Sequence, residues 1–198
     1  MIKSISYIFH PLFMPFACVL FYFSKSPRYI PFELIKYKVF SLFILTIIIP
    51  LLSTLVLKLL GRVDTIQLSR AKERILPLLI YTALLFIIIK RVILPEDFIE
   101  LYYFFIGIIF STLTCVILLL VNYKASIHIM ALSGLFMFFI ALSVHFHINI
   151  IGSIALISIL LGATATSRLQ LRAHTPQELV MGFFIGLLPQ LLLVPYWL

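Results

Sequence analysis

Three short polar clusters interrupt an otherwise apolar chain of 198 residues, and each carries groups suited to holding or transferring phosphate. The first is Arg70-Ala71-Lys72-Glu73-Arg74, followed by Pro77. On a helix, Arg70 and Arg74 lie four apart, share one face and can grip a single anion together. The second, Lys124-Ala125-Ser126-Ile127-His128, sets a cation, a hydroxyl and an imidazole within five residues. A helix starting there would add free backbone N–H donors. The third runs from Ser167-Arg168 through Arg172, His174 and Thr175-Pro176-Gln177 to Glu178. Thr175 to Glu178 reads as a capping box with proline in the first turn. Glu178 is also placed to hydrogen-bond His174, which would fix its tautomer and raise its basicity.

Each cluster also has a plainer reading. The first could be a basic loop obeying the positive-inside rule. In the second, Lys124 could snorkel beside a helix-capping Ser126, with His128 bonded inside a bundle. In the third, the capping box alone would explain Glu178, although not Arg168 or His174. His145 and His147 form an HxH pair with no third ligand nearby, and read as interfacial polar residues.

Composition decides what must position these clusters. The chain is 63% hydrophobic and only 11% charged, against about 25% charged in soluble domains. Fifteen basic and seven acidic residues give +8. The basic residues fall between apolar runs, so anionic headgroups or a phosphorylated substrate are expected as partners, and no nucleic acid. Cys18 and Cys115 lie inside apolar runs and give no disulfide framework.

Uncharged runs cover 4–24, 39–57, 75–89, 101–123, 125–167 and 179–198. The run 125–167 is long enough for two spans with a turn near His145, His147, Asn149 and Gly152. The expectation is an all-α, polytopic membrane bundle of about six or seven helices, with 1–198 as one membrane domain. Pro11 and Pro15 are expected to bend the first run, and His10-Pro11 argues against a cleaved leader. Two spans separate successive clusters, so all three emerge on one side. His145 and His147 fall on the other.

The third cluster resembles the last signature of the type 2 phosphatidic acid phosphatases, SRxxxxxHxxxD, with Glu178 in place of Asp. Ser126-Ile127-His128 resembles the family's PSGH signature, with Ala125 for Pro and Ile127 for Gly. Arg74 with Pro77 resembles the end of KxxxxxxRP, where Gln67 stands at the leading Lys position. The resemblance covers roughly residues 64–198, leaving 1–63 as additional N-terminal helices. It implies a phosphatidic acid phosphatase-like core that hydrolyses a lipid phosphomonoester or diphosphate through a phosphohistidine, without metal or other cofactor. Carried onto this chain, His174 is the nucleophile, Glu178 orients it, and His128 protonates the leaving oxygen. Arg74, Arg168 and Ser126 bind phosphoryl oxygens. Lys124 and Arg70 join them by charge and position, outside the signatures.

The substrate classes this implies are phosphatidic acid, phosphatidylglycerol phosphate, isoprenyl diphosphate or a lipid A phosphate. A catalytically silent family member that binds or moves lipids is the alternative, and a small transporter the third. The second would be favoured by the replaced Gly and the missing Lys. The third would require polar groups at mid-bilayer. The loops on the side away from the clusters carry Lys25, Arg28, Lys36, Lys38, Lys90 and Arg91, a positive-inside set. A bacterial inner-membrane protein with a periplasmic site is therefore expected.

Overall fold

The computed structural model describes residues 10–63 and 72–198, and their regular structure is entirely helical. The helices are α1 (Phe13–Lys25), α2 (Phe32–Leu59), α3 (Ile75–Val92), α4 (Ile99–Leu120), α5 (Ile127–Phe146), α6 (Ile151–Gln170) and α7 (Pro176–Leu193). Helices α2 to α7 are each long and apolar enough to cross a membrane. Their outer faces leave Leu59, Ile117, Ile159 and Leu192 more than three-fifths exposed, as a hydrocarbon solvent permits.

Only part of the first run, from His10 on, lies among the described residues. There helix α1 has 13 residues, about 20 Å of rise, short of a full span. Pro11 precedes it and Pro15 sits in its first turn, where no intrahelical N–H bond is lost. The helix is nevertheless central. Cys18, Val19 and Tyr22 are fully buried, and Phe21 stacks on Phe139 of α5 at 4.0 Å.

The long run divides where expected. His147 takes a left-handed conformation (φ 52°) and ends α5. Ser143 Oγ donates to the Ile148 carbonyl at 2.7 Å, and Asn149 Oδ1 accepts the Ile151 amide at 3.2 Å, which closes the turn into α6.

Apolar side chains gain little by leaving lipid for one another, so helices in a membrane associate through close backbone approach and polar bonds. Helix α7 supplies both. A Cβ at Gly182 would stand 2.6 Å from the Ser126 carbonyl oxygen, and one at Gly186 would stand 2.0 Å from that of Met130. Pro189 has no N–H to give the Ile185 carbonyl one turn back. That carbonyl instead accepts Ser111 Oγ of α4 at 2.8 Å. Gln190 Nε2 adds a bond to the Phe104 carbonyl at 3.0 Å. Helix α7 thus lies against α5 through glycine and against α4 through side-chain hydrogen bonds.

The end of the bundle away from the three clusters holds a buried carboxylate. Glu100 is fully buried and receives Arg28 Nη2 at 2.6 Å, Tyr22 Oη at 3.0 Å and His145 Nε2 at 2.9 Å. His145 is therefore a hydrogen-bond partner of Glu100, more than the merely interfacial residue that its sequence context suggests. The pairing ties α1, α4 and α5 together.

Gly186→Ala is expected to lower the melting temperature of purified protein strongly, since overpacking costs about 1–3 kcal/mol or more where backbone must shift. Gly162→Ala, where a Cβ meets nothing within 4 Å, should leave it unchanged or raised. Thermal unfolding in one detergent, followed for both variants, checks this.

Candidate functional site

Four turns at one end of the bundle carry the candidate residues. Arg74 closes a 3₁₀ turn (Lys72–Arg74) ahead of α3, and its side chain is drawn inward to a residual exposure of 9%. Arg70 lies outside the described residues. Ser126 precedes α5, and its Oγ makes no capping bond; it is buried with no hydrogen-bond partner among the described residues. The plainer reading of Ser126 as a helix cap therefore fails. Its backbone amide donates to the Glu178 carbonyl at 3.1 Å, joining the start of α5 to the start of α7.

Lys124 does not snorkel away from the bundle. Its Nζ donates to the Ala173 carbonyl at 3.4 Å, on the loop that presents His174. Arg172 in that loop has φ 49°, a left-handed turn residue that reverses the chain between α6 and α7.

At the start of α7 the two readings of Glu178 prove compatible. Thr175 Oγ1 accepts the Glu178 amide at 3.3 Å, and Glu178 Oε2 accepts the Thr175 amide at 3.2 Å, completing the capping box. The same Oε2 accepts His174 Nδ1 at 2.7 Å. With Nδ1 donating, Nε2 of His174 keeps its lone pair. The His174 side chain is only 1% exposed. Burial holds its pKa well below that of an ordinary histidine; the Glu178 hydrogen bond opposes this, while the Lys124 and Arg74 cations add to it. A neutral imidazole with a free Nε2 is the form a nucleophile needs.

The cations share a field. Burial lowers the pKa of Arg74, as does Arg168. Burial also lowers that of Lys124, with Arg74 and Arg168 contributing. Glu178 opposes both shifts. Like charges held this close gain from an anion that neutralises them.

Arg74, His128 and Arg168 line one cavity of about 200 Å³. His10 lines it as well, and sequence reasoning missed it. Its ring meets that of His128 edge to face, 5.6 Å between centroids, and its Nδ1 accepts the Leu12 amide at 3.4 Å. Burial, then the charge of Arg168, lowers its pKa. The only signal in the sequence was a histidine interrupting an apolar run. His174 and Glu178 line a separate, shallow depression beside Arg172, and Ser126 and Lys124 line neither hollow. Lys124 and Arg74 nevertheless act on His174 from their positions. His145 and His147 take no part, since His145 lies seventeen residues, about 25 Å, farther along α5 than His128.

Among the described residues no three His, Cys, Asp or Glu side chains gather as a metal site. The fold and this cluster together define a helical membrane protein with a cationic, histidine-bearing site at one end of its bundle. Compared with known proteins, the chain matches no family model, no curated protein and no solved structure.

His174 binds its proton less tightly in the folded chain than in the unfolded one. Its contribution to stability should be complete above the unfolded value of about 6.5 and be lost as pH falls through the lower folded value. Lys124→Met removes one depressing cation and should move the His174 titration upward. Histidine-resolved NMR over about pH 3–8, from below the folded value of about 4 to above that of a free imidazole, checks the shift; an unmoved titration would separate Lys124 from the site.

Proposed function

We propose that this chain is a metal-independent lipid phosphatase that works through a phosphohistidine. The observation that carries the reading is the cluster itself: Arg74 and Lys124 acting on a buried His174 whose Nδ1 is tied to Glu178, with Arg168 acting in turn on both cations. Phosphoryl transfer spreads negative charge over the equatorial oxygens, so fixed cations are its main catalytic resource.

In this mechanism Nε2 of His174 attacks phosphorus as the bond to the leaving oxygen breaks. His128 gives that oxygen its proton, and the departing lipid leaves as an alcohol or, from a diphosphate, as a monophosphate. Water then attacks the phosphohistidine with His128 taking its proton, which releases inorganic phosphate and restores both imidazoles. Glu178 stabilises the imidazolium character that His174 gains. Ser126, with its unpartnered hydroxyl, supplies a donor to a phosphoryl oxygen. The resemblance to the type 2 phosphatidic acid phosphatases supports these roles, as does gathering of all three motifs at one end of the bundle. The basic loops at the other end support an inner-membrane protein with the site facing the periplasm.

One observation favours the alternative, a silent protein that binds lipid phosphates. His128 faces the cavity, whereas His174 borders the separate depression. Binding of a lipid phosphate without phosphate release would establish it.

Purified protein should release phosphate from a panel of lipid phosphates and diphosphates, and continue to do so in excess chelator. Loss in EDTA with recovery on adding magnesium would point to another phosphatase class.

The two histidines should also differ. His174→Ala should abolish the phosphoenzyme with every substrate. His128→Ala should cost about 10²–10⁴-fold on an alkyl phosphate. A nitrophenyl phosphate needs little protonation and should recover much of the second loss and none of the first. Equal losses on both substrates would overturn the assignment.

A further inference from the structure

We propose that the cavity behind Arg74 and Arg168 seats a single alkyl chain, and that residues 10–63 serve to build its wall. The proposal rests on the phosphate reading above and specifies what the phosphate is attached to.

One end of the cavity is polar and cationic, with Arg74, Arg168, His10 and His128. The remainder is predominantly apolar, with Leu12, Leu51, Leu78, Ile108 and Leu135 among its walls. Leu12 and Leu51 come from the segment that none of the three motifs covers. The cavity reaches Leu135, eight residues and about 12 Å along α5 from Ile127. Its polarity therefore changes along its length, as that of a lipid phosphate does.

Size selects the tail. A water-sized group occupies about 30 Å³, so 200 Å³ admits on the order of seven methylenes. Spread over the roughly 12 Å from Ile127 to Leu135, that volume is about one methylene wide, which suits one chain and not two side by side. Protein interiors are normally packed without voids larger than a water molecule, and an empty apolar hollow forfeits contacts on all its walls. A chain entering it restores them. A lipid tail is already in apolar surroundings, so the cavity discriminates by shape and by the attached charge, with no gain from leaving water. Thr54, Ser111, Thr112 and Gln190 also line it, but each donates to a backbone carbonyl, so Tyr81 is the polar wall residue whose group is left over. Its buried hydroxyl has no partner among the described residues and offers a donor to an oxygen near the head of the chain.

The test uses the full chain in phosphatidylcholine nanodiscs and a long-chain alkyl phosphonate bearing a diazirine near its sixth carbon. A phosphonate cannot be hydrolysed at its carbon–phosphorus bond by this chemistry. After irradiation, adducts mapped by mass spectrometry should fall on Leu78, Ile108 and Leu135. Ala131→Phe, which fills the cavity, should reduce them at least tenfold, and Ala131→Leu should do so less. The dialkyl phosphonate with the same label should give at least tenfold fewer cavity adducts. Adducts confined to lipid-facing positions such as Phe110 and Ile159 would overturn the chain site and leave the phosphate reading intact. Equal cavity labelling by the dialkyl compound would overturn the single-chain selection. Equal labelling by the corresponding diazirine alcohol would overturn the proposal together with the phosphate reading on which it rests.

Discussion

The hydrogen bond from the Ser126 amide to the Glu178 carbonyl is the contact on which the arrangement of this protein turns. It joins two backbones directly, which requires that nothing stand between α5 and α7. Gly182 meets that requirement at the level of Ser126, and Gly186 meets it one turn deeper against Met130. In water, a layer of leucines could hold two helices at an ordinary spacing. In lipid such a layer gives little advantage, and the pair is held by proximity and polar bonds. The two segments bearing His128 and His174 are thereby fixed to each other at their starts, whatever happens in the loops between them.

The same scarcity of driving force explains the use of proline and serine around α7. Pro189 leaves the Ile185 carbonyl without its helical donor, a cost that would be several kcal/mol in hydrocarbon if unmet. Ser111 meets it from α4. A defect in one helix thus becomes the attachment point for another. Glu100 plays the matching part at the far end, where three helical segments converge on one carboxylate. The bundle is consequently cross-linked by polar bonds near both ends, with an aromatic interior between them.

The helical layout was legible in the sequence because charges are so rare that their positions mark the ends of helices. The turn after His145 was legible for the same reason. The start of α1 at Phe13 was not, since the apolar run begins at residue 4 and only Pro11 and Pro15 mark the change within it. The capping box at Thr175 and the His174–Glu178 pair were readable from spacing alone; that one oxygen serves both could only be seen in three dimensions. His10 had no spacing partner in the sequence, because the histidine and arginine it joins, His128 and Arg168, are more than a hundred residues away. Gly182 and Gly186 stand four residues apart, a spacing that permits close packing, but nothing in the sequence says that the partner is α5. Arg70 falls outside the described residues.

Helices α3, α5 and α7 all begin at the end of the bundle where Arg74, Ser126 and His174 lie. Each begins with unsatisfied N–H groups, and the aligned peptide dipoles amount to about half a positive charge per helix at that end. The C-terminal ends of α2, α4 and α6 lie at the same end and oppose this at a distance, so the backbone's positive contribution is confined to the first turns themselves, where no change of pH can discharge it. The arginines and the lysine supply the local grip, whereas this contribution belongs to the direction in which the chain was threaded. An anion therefore meets this backbone contribution only on reaching the first turn of α3, α5 or α7, where the side chains already hold it.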